Sequence, residues 1–223
     1  IYFQKALRKS YQGKVLNISS SITVPSQRAA KASKLGKDSE YIQLHFNNAA
    51  KNLETVFVNN TSASFREAAG LIIKARRRYI VATRGNACLG DYFLLYLKHM
   101  LPNVETTASS SISPIDHICS ITKDDCLIVF SFPRYSSVDR CVVEMAKEAG
   151  ASIVVITDKP SALLAPYASA LITVPVDSST FFNSMIAPQF AAEILLDVIS
   201  HQVKGIEKRL KKIDRYLGEL GNY

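Results

Sequence analysis

The sequence predicts an α/β protein, a three-layer α/β/α sandwich with a five-stranded parallel sheet, preceded by a helical lead-in. Three observations predict it. Five short apolar runs begin at Tyr79, Val104, Cys126, Ile153 and Leu171, and helix-forming connections separate them. The central runs, Cys126-Leu127-Ile128-Val129-Phe130 and Ile153-Val154-Val155-Ile156, are apolar without alternation, as strands covered on both faces require. Crossovers of this kind join parallel neighbours and are right-handed almost without exception.

Each element follows from local pattern. Residues 1–8 read as the tail of a helix. Residues 11–37 are rich in Ser, Lys and Gln, with Pro25 interrupting them, and read as a linker or loosely packed arm. From 39 to 58, Leu44, Phe46, Ala49, Leu53 and Phe57 share largely one helical face. Asn59, Asn60 and Thr61 stop that helix, and Ser64 with Glu67 is expected to form a capping box for the next, 65–75. The strand at Tyr79-Ile80-Val81-Ala82 leads to a helix over 88–100, where Leu89, Tyr92, Phe93, Tyr96 and Leu97 recur at helical spacing. A second strand, Val104-Glu105-Thr106-Thr107, precedes a short helix over 116–121 and the strand over 126–130. The helix 137–148 is ended by Gly150. Then come the strand 153–156, a helical turn at 162–167 and the strand Leu171-Ile172-Thr173-Val174. A last apolar helix over 182–203 is expected to bend near Pro188. In the charged extension, Ile206, Leu210, Ile213 and Leu217 share one face suited to a partner subunit. The boundaries read as a basic segment 1–37, a sandwich 38–203 and a helical extension 204–223.

The net charge of +8 sits entirely on the leading segment. Lys5, Arg8, Lys9, Lys14, Arg28, Lys31, Lys34 and Lys37 precede the first acid, Asp38. A phosphate-contacting arm has this character, and so does a solvated helix face with its linker. No apolar run reaches the roughly eighteen residues that span a bilayer, and no apolar core of a signal peptide is present. A cytoplasmic protein without membrane partners is the expectation. Cys88, Cys119, Cys126 and Cys141 form no CxxC pair and read as small buried thiols, and the histidines lack ligand spacing, so no metal is expected.

In open parallel sheets, ligands bind beyond the carboxyl ends of the strands. The loop Thr83-Arg84-Gly85-Asn86-Ala87 sets a cation, a glycine and an amide ahead of a helix, where backbone N–H groups favour an anion. It is neither a Walker loop nor a GxGxxG turn, and a helix-capping Asn86 beside a solvated Arg84 is the plainer alternative. The loop Ser131-Phe132-Pro133-Arg134-Tyr135-Ser136-Ser137 gathers hydroxyls and a guanidinium at the next helix start, where Ser136 or Ser137 can also serve as a cap. Asp177, Ser178, Ser179 and Thr180, with Asn183 and Ser184, offer more donors after the last strand. No nucleophile–base pair stands in these loops.

With these loops in place, the sequence resembles the sugar isomerase (SIS) domain. Ile80-Val81-Ala82-Thr83-Arg84-Gly85-Asn86, followed by Gly90-Asp91-Tyr92, resembles the family's opening motif of small residues and Ser before a helix. Ser131-Phe132-Pro133-Arg134-Tyr135-Ser136 resembles its second Ser/Thr-rich motif, in a form most similar to RpiR-type bacterial transcriptional regulators. Gly150-Ala151-Ser152, Ile156-Thr157-Asp158, Ser161, Leu164, Ala165 and Ser184 continue a match that runs from about residue 50 to 200. Residues 35–53 resemble the family's helical lead-in, and 3–8 the closing helix of its helix-turn-helix domain, whose recognition helix is absent.

The resemblance implies a flavodoxin-like sandwich that senses a phosphosugar or related carbohydrate derivative. It implies a homodimer or homotetramer that contacts DNA through the missing helix-turn-helix domain, with no enzyme activity and no cofactor. The implied ligand-binding residues are Arg84, Asn86, Ser131, Arg134, Tyr135, Ser136 and Ser184. Ala82 stands where the family has Gly and Asn86 where it has Ser, while Pro133-Arg134-Tyr135 replaces the glycine-containing turn of the isomerases. The alternative, an aldose–ketose isomerase, needs an acid–base residue, for which His117 and Glu144 are the candidates.

Overall fold

A computed structural model describes residues 24–34, 38–108 and 111–221. The expected helix end at 3–8 and the first four basic residues lie outside the described residues. The five expected strands form β1 (Arg78–Ala82), β2 (Val104–Thr106), β3 (Cys126–Ser131), β4 (Ser152–Thr157) and β5 (Ala170–Thr173). They make one parallel sheet in the order β2-β1-β3-β4-β5.

Strand side chains alternate between the two faces, so each strand feeds two cores. Ile80, Ile128, Phe130, Val154, Ile156 and Ile172 face one side. There they meet α3 (Ser62–Lys74), α4 (Ala87–Met100) and α7 (Ile186–Gln202). Tyr79, Val81, Leu127, Val129, Ile153 and Val155 face the other side, under α6 (Ser137–Glu148) and the turn that follows α5 (Pro114–His117). These two cores and the sheet between them are the expected three layers.

The sheet order creates a switch point. From β1 the chain crosses to β2 through α4 on one face, then returns past β1 to β3 through α5 on the other. Crossovers keep one hand, so reversing direction changes the face. The chain therefore leaves the ends of β1 and β3 on opposite sides, and a crevice opens between them.

Two helices lie ahead of the sandwich, α1 (Pro25–Ala32) and α2 (Asp38–Asn59). Pro25 opens α1 rather than interrupting a linker, because its missing N–H is harmless at the first helical position. The junction after α2 also differs from expectation. Thr61, not Ser64, caps α3: Ser64 N donates to Thr61 Oγ1 at 3.1 Å, and Thr61 N donates to Ser64 Oγ at 3.3 Å. The chain turns at once because Asn60 is tied to the open edge of β5. Its Nδ2 donates to the Thr173 carbonyl at 2.7 Å, and its Oδ1 accepts from Thr173 N at 2.9 Å, as a neighbouring strand would.

The last core helix begins at Ile186, not at 182, and Pro188 falls in its first turn, where no intrahelical acceptor is lost and no bend is needed. Residues 177–185 are consequently a loop. Asn52 of α2 holds its start, with Nδ2 donating to the Asp177 carbonyl at 2.8 Å. Gly205, at φ 81°, turns the chain into α8 (Ile206–Glu219), whose Ile206 packs on the core while Leu210, Tyr216 and, just after the helix, Leu220 stay exposed.

Only Cys126 among the thiols is buried, and burial pushes it up to about 12. Cys88, Cys119 and Cys141 are exposed, contrary to expectation, because they fall on the outward sides of helices and a turn. Among the described residues no helix is long and apolar enough to cross a membrane.

Candidate functional site

The crevice between β1 and β3 is built from three loops. The first follows β1 as a 3-10 turn, Arg84–Asn86, that runs directly into α4. Gly90 lets α4 lie this close: a Cβ there would stand 2.7 Å from Ala82 Cβ. Arg84 holds a left-handed φ of 57°, strained for a residue with a Cβ. Asn86 is not a side-chain cap. Its Nδ2 reaches across to the Phe130 carbonyl at 3.2 Å and fastens this turn to the end of β3.

The second loop joins β3 to α6. Ser136 caps that helix, its Oγ accepting from Val138 N at 3.2 Å. The third loop joins β5 to α7 and extends Phe181, Phe182 and Asn183 over the crevice. Asn183 Nδ2 donates to the Pro133 carbonyl, and Asn183 Oδ1 accepts from Arg28 Nη1 at 2.9 Å. The resulting cleft holds about 350 Å³.

Its charge is one-sided. Arg28, Arg84 and Arg134 line it, and Asp139 is the one acid among the described lining residues. Burial, and then Arg134, push the Arg28 guanidinium below its ordinary value. Burial pushes the Asp139 carboxyl up, against the opposing influence of the Thr83 and Ser131 hydroxyls. Ser131 Oγ donates to Asp139 Oδ2 at 3.2 Å, while the buried Oδ1 lacks a hydrogen-bond partner among the described residues. Guanidiniums and helix-start N–H groups bind an anionic group, and a lone carboxylate oxygen accepts from a hydroxyl.

Of the residues expected at the site, Arg84, Asn86, Arg134 and Ser136 line the cleft. Ser131 lies beneath it, fully buried, and acts by holding Asp139. Tyr135 turns away: its hydroxyl donates to Asp158 Oδ1 at 2.5 Å, and burial, then that carboxylate, push the phenol up. Ser184 belongs to the third loop but is buried, with its N–H donating to the Val176 carbonyl at 3.1 Å. The acid–base candidates are elsewhere. His117 Nε2 lies 3.4 Å from Glu105 Oε2, and Glu144 pairs with Arg140 on the outer face of α6. No cluster of three metal-ligating side chains occurs among the described residues.

Arg28, Thr83, Asp139 and Asn183 are the polar lining residues not singled out as ligand contacts in sequence. Asp139 carried a signal, since Ser136-Ser137-Val138-Asp139 has capping-box spacing, but that pattern points to a helix start and not to a pocket. Arg28 had only its place in a basic segment.

A family model described as SIS domain matches residues 71–197, more than half of the chain. No curated protein matches the sequence. Solved structures do. The sugar isomerase domain of an RpiR transcription factor from Sphaerobacter thermophilus superposes with a TM-score of 0.73 at 17% identity, over 77% of this chain and 96% of that one. The Vibrio vulnificus NanR protein complexed with ManNAc-6P gives 0.69 at 10% identity, over 86% and 72%. A phosphoheptose isomerase from Francisella tularensis gives 0.63 at 14% identity, over 74% and 100%. Regulators and isomerases share this fold.

Proposed function

The chain belongs to the SIS domain family, and from that premise we propose that it is the effector-binding region of an RpiR-type bacterial transcriptional regulator, with a phosphosugar as effector. The observation that carries this reading is the charge of the switch-point cleft: three arginines and the starts of two helices against one carboxylate. A phosphate group suits the arginines, with Asn86 and Ser136 beside it, and a sugar hydroxyl suits Asp139 Oδ1. The apolar faces of Phe132, Phe181 and Phe182 suit the C–H face of a sugar ring. In this reading DNA is contacted by a helix-turn-helix domain and not by the sandwich. Exposed Leu210 and Tyr216 on α8, with Leu220 just after it, support assembly as a homodimer or homotetramer.

A second reading, a sugar-phosphate isomerase, is favoured by Asp139, a carboxyl in the cleft whose pKa is raised by burial, as a general base requires. Calorimetry with a panel of sugar phosphates and the matching neutral sugars, followed by NMR of the same mixtures, separates the two. The sensor reading expects saturable binding of a phosphorylated sugar, no aldose–ketose conversion, and affinity lost on Arg84→Ala. Conversion abolished by Asp139→Asn establishes the isomerase instead. Failure of every anionic sugar to bind refutes both.

A further inference from the structure

Helix α1 precedes the matched family region, yet it reaches the cleft. Arg28 is the residue it buries, at 4% exposure, while Gln27, Ala29, Ala30 and Lys31 face solvent. Surface helices ordinarily dock through an apolar stripe. A helix that buries a guanidinium instead docks through hydrogen bonds and charge, and its hold depends on what compensates that charge. Arg28 donates to Asn183, and Asn183 donates to the Pro133 carbonyl. This chain of contacts spans the mouth of the cleft and joins α1 to the loops after β5 and β3. Arg28 also shares the cleft with Arg84 and Arg134, and burial, then the nearby Arg134, lower its pKa.

We propose that Arg28 is a ligand contact supplied by α1, so that an anion in the cleft clasps α1 onto the sandwich and passes occupancy to the chain ahead of it. The inference rests on the cleft being an anion site, as read above. Arg28 and Arg134 repel each other across the cleft, and a phosphate dianion turns that repulsion into shared attraction. The docked position of α1 is therefore favoured by the anion, and the anion by docked α1. Linkage makes the two effects equal: the factor by which an anion stabilises the docked helix is the factor by which docking tightens the anion. The segment whose position is thereby controlled is continuous with Lys5, Arg8, Lys9 and Lys14, a run of sequence without an acid.

Hydrogen–deuterium exchange on the full chain, with and without saturating inorganic phosphate, tests this. Phosphate is expected to slow exchange at residues 28–32 and at 83–87 together, by about tenfold for a charge-assisted contact. Arg28→Gln is expected to weaken phosphate binding by a matching factor of about ten and to abolish protection at 28–32 while keeping it at 83–87. Asn183→Ala, which removes the tie without changing any charge, is expected to speed exchange at 28–32 even with phosphate bound. Protection confined to 83–87 overturns the clasp and leaves the anion site standing. Protection at neither segment overturns both.

Discussion

Replacing Gly90 by alanine puts a methyl carbon 2.7 Å from Ala82 Cβ, 3.3 Å from Ala108 Cβ and 3.7 Å from Ile80 Cγ2. Non-bonded carbons rest about 3.5–4.0 Å apart, so the first turn of α4 must retreat from β1 by roughly 1 Å. Overpacking of this kind costs about 1–3 kcal/mol. Alanine's better helix propensity returns about 1 kcal/mol, which leaves a net loss of about 0–2 kcal/mol, centred near 1 kcal/mol. For a chain of this size that lowers the melting temperature by about 4 °C. Because the Arg84–Asn86 turn runs straight into α4, the retreat also loosens the cleft, and phosphate affinity falls with stability. Ala82→Gly removes the atom at 2.7 Å. The double variant should therefore be more stable than the two single changes predict by addition, by about 1 kcal/mol. Urea unfolding of the four proteins closes the cycle. A Gly90→Ala protein more stable than the parent, or strictly additive changes, refutes the close approach of α4 to β1 as the reason for glycine.

Three further outcomes follow from individual contacts. Arg84→Gly relieves the left-handed strain at φ 57° and should hold or raise stability by up to about 1 kcal/mol, while calorimetry shows phosphate affinity falling about tenfold; a loss of stability contradicts the strain argument. Asp125 is buried and accepts from Arg76, the Arg77 N–H and Thr122. Burial pushes its carboxyl up, but the Arg76 and Thr122 hydrogen bonds outweigh this and the net shift is downward. Its contribution is therefore present above the ordinary carboxylate range and lost as the pH falls through the lowered value, and Asp125→Asn should cost about 2–3 kcal/mol at neutral pH in urea melts. Asp139 has the opposite sign: with its folded pKa raised, its contribution is full when protonated and is lost as the pH rises through that raised value. Asp139→Asn should thus flatten that part of the pH–stability profile and be relatively more stable than the parent at pH 8 than at pH 4; thermal melts at the two pH values check this.

The five strands, the three layers and the helices 88–100 and 137–148 were legible in sequence, most ends falling within a residue or two of their place. Strand apolarity and helical spacing are properties of neighbouring residues, and burial on both faces leaves a central strand such as β3 apolar up to its terminal Ser131. The errors lay where two local solutions were equally good. Thr61 and Ser64 can each cap a helix, and only the attachment of Asn60 to β5 selects Thr61. The apolar residues at 181–185 continue the pattern of α7, but the loop carries them to the cleft.

What the sequence determined by itself was the fold class, the loops that end the strands, and four of the cleft residues, Arg84, Asn86, Arg134 and Ser136. These sit where a strand stops and a helix starts, which a linear pattern reveals. The tertiary structure alone decided that Arg28 meets Asn183, 155 positions away, and that Asp139 turns inward to Ser131. It also decided that Tyr135 and Ser184 are drawn out of the cleft. The order of strands in the sheet brings the ends of β1 and β3 together and directs the last loop over them. That order is set by the packing of whole helices on two faces, a sum over distant residues that no local spacing encodes.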